Sequence, residues 1–198
     1  MKPNRSILII FLLSLVAATL YRLIPDRPEG FAPQMAMALL GGAIIKDKKW
    51  AFILPVLSLF ISDLGYYFLN NAGLTTKLGF YDGQWVIYLA FVIITCFGFL
   101  MKKVNMLNVA LFSIAGSVFF FLITNYITWE VGQGLGRPHT FNGLMLCYGD
   151  GILFYRQFGL IKGFDANFIL GDLVWGFILF GLYSLLTKLF VARKPQLA

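Results

Sequence analysis

Residues 106–129 read MLNVALFSIAGSVFFFLITNYITW and contain no Asp, Glu, Lys or Arg. At a rise of about 1.5 Å per residue, this run as a helix would extend about 36 Å. That is enough to cross a hydrocarbon layer about 30 Å thick. Five further apolar runs, over residues 6–24, 33–45, 50–69, 84–101 and 167–190, share its character. The expectation is an all-α, integral membrane bundle of six transmembrane helices, forming a single domain over residues 1–198.

Composition points the same way. The chain is 59% hydrophobic and only 13% charged, with a mean hydropathy of +0.79. Soluble domains are about half apolar and need a polar shell around their core. The net charge of +7 does not indicate a nucleic-acid partner, because the basic residues sit between apolar runs and form no basic face interleaved with aromatics. Cys96 falls inside an apolar run and Cys147 in a loop, so two free thiols are expected and no bridge.

The first run is preceded by Lys2 and Arg5 and closed by Arg22 and Pro25. Val16 and Ala18 could mark a cleaved signal peptide, but the apolar stretch continues through Leu20, Tyr21, Leu23 and Ile24, which favours a retained helix. The second run is short and rich in small residues, with Ala32, Ala36, Ala38, Gly41, Gly42 and Ala43 at spacings of three and four. Such faces let helices approach closely in lipid. Residues 130–166, between the last two runs, are too long for a simple connection and mix apolar with polar segments. They are expected to form a long external loop or interfacial segment. Within it, residues 141–160 are compatible with interfacial, re-entrant or spanning placement.

Basic residues set the orientation. One side of six spans collects Lys2, Arg5, Lys46, Lys48, Lys49, Lys102, Lys103, Lys188, Arg193 and Lys194, against Asp47 alone. The other collects Arg22, Arg27, Lys77, Arg137, Arg156 and Lys162, balanced by Asp26, Glu29, Asp82, Glu130, Asp150 and Asp165. The first side is expected to be cytoplasmic, with both termini there. Trp50, Trp85 and Trp129 fall at the ends of apolar runs, as interface-seeking rings do.

Two carboxylates lie within predicted spans, Asp63 and Asp172, and a charge in lipid is costly unless it faces the bundle interior or pairs. Both fall roughly 8–9 Å below the outer surface at about 1.5 Å per residue. Thr124, Asn125, Thr128, Tyr21, Arg22, Ser62, Tyr66 and Tyr67 share that outer layer. Polar groups there are what an outward-facing solute pocket needs, with Arg22 available to an anionic group. The candidate ligand-binding residues are Arg22, Asp63, Asn125, Trp129, Tyr148 and Asp172. A purely structural reading stands beside this one, in which Asp63 pairs with Arg22 and Asp172 accepts hydrogen bonds from Asn125 or Tyr148.

Catalysis has little support. The single histidine, His139, lies beside Pro138 in an external loop, and no metalloprotease pair, nucleophile elbow, redox cysteine pair or phosphate loop is present. Gly132, Gly134 and Gly136 alternate without a following lysine. No catalytic residue, metal or cofactor is assigned. An intramembrane enzyme would require Asp63 and Asp172 to face one another.

Arg22-Leu23-Ile24-Pro25, Phe31-Ala32-Pro33 and residues 36–42, AMALLGG, resemble segments of an uncharacterised family of small bacterial six-helix transport proteins. Pro55, Ser62-Asp63, Thr124-Asn125, Trp129, Tyr148 and Gly171-Asp172 extend the resemblance over nearly the whole chain. That family is similar to the substrate-binding S components of energy-coupling factor (ECF) transporters. The resemblance implies a six-helix protein of the bacterial cytoplasmic (inner) membrane that binds a small-molecule solute near its outer face. It also implies partner transmembrane coupling and ATPase subunits, contacted through small residues such as Ala32 and Ala36, with Gly41 and Gly42 on the same segment. The alternative is a structural or assembly protein of the cell envelope with no solute pocket.

Overall fold

The computed structural model describes residues 5–131 and 136–192. Lys2, Gly132, Gly134, Arg193 and Lys194, used above, lie outside the described residues. Among the described residues, seven helices follow in order: α1 (Arg5–Leu23), α2 (Gln34–Ile44), α3 (Lys48–Asn71), α4 (Gln84–Leu100), α5 (Met106–Glu130), α6 (Phe141–Phe158) and α7 (Asn167–Ala192). No strand occurs among the described residues. Among the described residues, three helices are long and apolar enough to cross a membrane: Lys48–Asn71, Met106–Glu130 and Asn167–Lys188.

The added helix is α6, in the segment expected to be a loop or interfacial stretch. Thr140 starts it, its side chain accepting from the Gly143 N–H at 3.1 Å, and so satisfies one of the orphan donors of the first turn. Gly159 ends it. Hydropathy missed the helix because its apolar positions are interrupted by glycines, Asp150 and Arg156. It runs beside the C-terminal part of α5, where Tyr148 Oη donates to the Leu122 carbonyl at 3.2 Å and the Cys147 thiol to that of Asn125 at 3.5 Å. The rings of Phe121 and Phe168 stack at 4.4 Å, which sets the start of α7 opposite Phe121. The remainder of α5 therefore extends past α7, and α6 covers it.

At the centre lies α2, whose residues Gln34 to Gly42 are all buried. It packs against α3, α4, α5 and α7. A Cβ on Gly42 would fall 2.2 Å from the Thr95 carbonyl oxygen, and one on Gly98 of α4 would fall 2.4 Å from that of Leu39. The two backbones touch, which only glycine permits. This corrects the expected partner-contact face: Ala36, Gly41 and Gly42 are spent on packing α2 inside its own bundle, and Ala32 precedes the helix and faces a cavity.

The chain between α1 and α2 dips inward before α2 begins. Gln34 Nε2 donates to the Ala18 carbonyl at 3.1 Å, one turn below the end of α1. Glu29 N–H donates to the Phe158 carbonyl at 2.8 Å, and a Cβ on Gly171 of α7 would fall 2.4 Å from the Gly30 carbonyl oxygen. Phe31 and Tyr21 hold the Trp175 ring at 5.6 and 5.1 Å. This loop is thus clamped between the ends of α1 and α6 and the face of α7.

Candidate functional site

Beneath that loop is a cavity of about 160 Å³. Arg22, Arg27, Gly30, Ala32 and Gln34 form one side of it. Ser117 of α5 and Asp172 of α7 contribute polar groups opposite, and Phe91, Phe120, Phe121, Tyr155 and Phe168 supply rings. A second space of about 270 Å³, lined by Tyr81, Asp82, Thr124 and Thr128, shares Arg22, Ile87, Phe120 and Tyr155 with the first. These four side chains are shared by the second space, a vestibule, and the first, the inner cavity.

Arg22 ends α1, where a cation is favoured by the carbonyl end of the helix. Its Nη1 donates to Asp63 Oδ1, to Ser62 Oγ at 2.6 Å and to the Leu59 carbonyl at 3.3 Å. Tyr66 Oη donates to the Arg22 carbonyl. Asp63 is 3% exposed, and its Oδ2 accepts from Gln84 Nε2 at 2.5 Å and from Tyr88 Oη at 2.6 Å. Both carboxylate oxygens are therefore satisfied, and the network ties α1, α3 and α4 together.

Asp172 differs. It is 8% exposed, and its Oδ2 lies 2.7 Å from Ser117 Oγ. The same hydroxyl lies 2.8 Å from the Ser113 carbonyl. One hydroxyl proton serves two acceptors, so Asp172 is incompletely satisfied. Its Oδ1 has no partner among the described residues, and neither Asn125 nor Tyr148 reaches it. Gln34 Oε1 is also buried without a partner. Arg27 donates to the carbonyls of Arg22, Pro28 and Phe31, but forms no ion pair among the described residues.

The six predicted ligand-binding residues separate accordingly. Arg22 and Asp172 line the inner cavity, and Asp63 stands behind Arg22. Asn125 donates to the Phe121 carbonyl of its own helix at 2.8 Å, and Trp129 Nε1 donates to the Pro138 carbonyl at 2.9 Å. Asn125, Trp129 and Tyr148 are not among the residues lining the cavity; they join α5 to α6. Asp63 and Asp172 belong to different networks and make no contact with each other.

Gln34, Ser117 and Arg27 were not singled out from sequence. Gln34 and Ser117 carried a signal, being isolated polar residues inside apolar runs. Arg27 carried none, since it counts equally well as a loop charge. Comparison with curated proteins and with solved structures finds no match in either. A family model described as "Family of unknown function (DUF6580)" matches residues 1–197, and the chain belongs to that family.

Proposed function

We propose that this protein is a solute-binding subunit of a membrane transporter, similar to the S components of ECF systems, with its pocket in the outer half of a helical bundle. The observation that carries this reading is the inner cavity, closed on one side by non-helical backbone. In lipid, irregular backbone at depth is tolerated only where protein buries it or where it lines a cavity, and the loop from Gly30 to Pro33 meets both conditions. A vestibule lined by Tyr81, Asp82, Thr124 and Thr128 adjoins the cavity.

The membrane setting is supported by where the apolar surface goes. Only 22% of the most apolar window of α7 is buried inside the protein, and Phe177, Ile178, Leu182 and Leu185 of that helix are exposed. In water this exposure would drive aggregation; against acyl chains it has no such cost. The bundle then comprises α1, α3, α4, α5 and α7 as full crossings, with α2 as an internal shorter helix that completes the sixth passage. The helix α6 rests on the outer side. Both termini lie on the cytoplasmic side of the bacterial inner membrane, following the excess of lysines there. Energy would come from partner coupling and ATPase subunits, which must dock elsewhere than on the buried face of α2.

Native mass spectrometry on the full chain extracted from its own membrane tests the reading. The wild type is expected to carry a small molecule that Ala32→Leu, which fills the cavity, has lost while melting at a similar temperature. Wild-type protein that is folded and carries nothing would sink it. An envelope assembly protein is the second reading, favoured by the complete hydrogen bonding of Asp63.

A further inference from the structure

We infer that the solute is a small amino-acid-like zwitterion, its amine held by Asp172 and Gln34 and its carboxylate by Arg27. The inference rests on the solute-binding reading and deepens it. Three separate features of the inner cavity support it, and none depends on the others.

The first is an unpaired carboxyl group. Asp172 is buried, has no cationic partner among the described residues and keeps Oδ1 open. A carboxyl buried this way is costly to ionise, and an incoming ammonium offsets that cost by supplying the counter-charge. The second is an uncompensated acceptor, Gln34 Oε1, 2% exposed as a residue and without a donor. A carboxylate and an amide oxygen together call for N–H donors, which a primary amine has and a quaternary ammonium lacks. The third is the cation of Arg27, on the same cavity and without an acidic partner among the described residues. Arg22 beside it is already engaged by Asp63, so the guanidinium open to a new carboxylate is that of Arg27.

Size and lining narrow the class. An engineered apolar cavity of about 150 Å³ holds one benzene molecule, so about 160 Å³ admits a solute of amino-acid size. The Phe121, Phe168 and Tyr155 rings flank the Asp172 end, where aromatic faces attract an ammonium.

The test uses the full chain in lipid nanodiscs and a panel of the twenty common α-amino acids, each paired with its decarboxylated amine and its α-hydroxy acid. At least one amino acid is expected to bind 10-fold or more tightly than both of its partners, since each charged hydrogen bond contributes about 10- to 100-fold. Arg27→Gln should erase the preference over the amine and leave the preference over the hydroxy acid; Asp172→Asn should do the reverse. An amine or hydroxy acid that binds as tightly as the amino acid overturns the inference, as does a panel in which nothing binds. If native mass spectrometry then finds a retained molecule that is not a zwitterion, the solute pocket stands and the zwitterion falls. An empty protein fails both.

Discussion

Arg22, in the last turn of α1, is ion-paired with Asp63 of α3 across forty residues of chain, and the pair separates two cavities from the interior of α3 and α4. Asp172, on the far side of the inner cavity, has no such partner among the described residues. Two aspartates that look equivalent in sequence thus have different work, and substitutions should separate them.

Asp63→Ala leaves the part-buried Arg22 guanidinium without its counter-charge and takes an acceptor from the Gln84 and Tyr88 donors. Breaking a buried pair from one side costs about 3–5 kcal/mol, reduced here because Arg22 is one-fifth exposed. A large drop in Tm and in folded yield is expected. Asp172→Asn, which breaks no ion pair, should shift stability by no more than about 1 kcal/mol while removing retained solute. Equal losses of Tm in the two variants would contradict this division.

Contact between α2 and α4 should be intolerant of a single methyl group. Gly42→Ala and Gly98→Ala each force a Cβ into backbone, at 2.2 and 2.4 Å from a carbonyl oxygen, and overpacking of this kind costs about 1–3 kcal/mol or more. Gly181→Ala on α7 meets no atom within 4 Å and should stabilise by up to about 1 kcal/mol. Thermal unfolding of the three variants in one detergent checks the order.

Helix α6 should loosen in acid. Arg137 grips Asp150 through two hydrogen bonds of 2.8 Å, and the first of the causes acting on Asp150, that hydrogen bond, holds its carboxyl below the usual value of 3.8. A lowered folded-state value means the stabilisation is complete above pH about 4 and is lost as pH falls through the folded value. Amide exchange in α6, corrected for intrinsic rate, should rise below that point in the wild type. Asp150→Asn should show the faster exchange already at neutral pH, with no further acid step.

Topology is testable with cysteines. Cys96 is exposed on an apolar helix and Cys147 is buried, its thiol pushed up by burial. In a background lacking both, Lys77→Cys should react with a membrane-impermeant maleimide in intact cells, whereas Lys48→Cys should react only after lysis. The opposite pattern would invert the proposed orientation, and labelling of both would argue against a crossing of α3.

Helices without strands, and where six of them lie, were legible in the sequence. Apolar runs such as 106–129 must close their own backbone hydrogen bonds, and a helix does so within a single segment. The buried status of Asp63 and Asp172 was equally legible, because a carboxylate inside such a run has few places to go. Residues 141–158 were not legible as a helix because glycines and charges dilute their hydropathy, and their stability comes from the Thr140 cap, the Arg137 ion pair and the flank of α5.

Only the tertiary structure decided which polar groups meet. Run length and composition are properties of one segment, whereas the Arg22–Asp63 pair, the Gly42–Gly98 contact and the shared cavity of Arg27, Gln34 and Asp172 depend on the register between helices far apart in the chain. Small residues on α2 announce a close approach but not its partner, which turned out to be α4 of the same chain. Asp172 and Asp63 cost the same to bury in any one-dimensional count; packing alone left one satisfied and the other open.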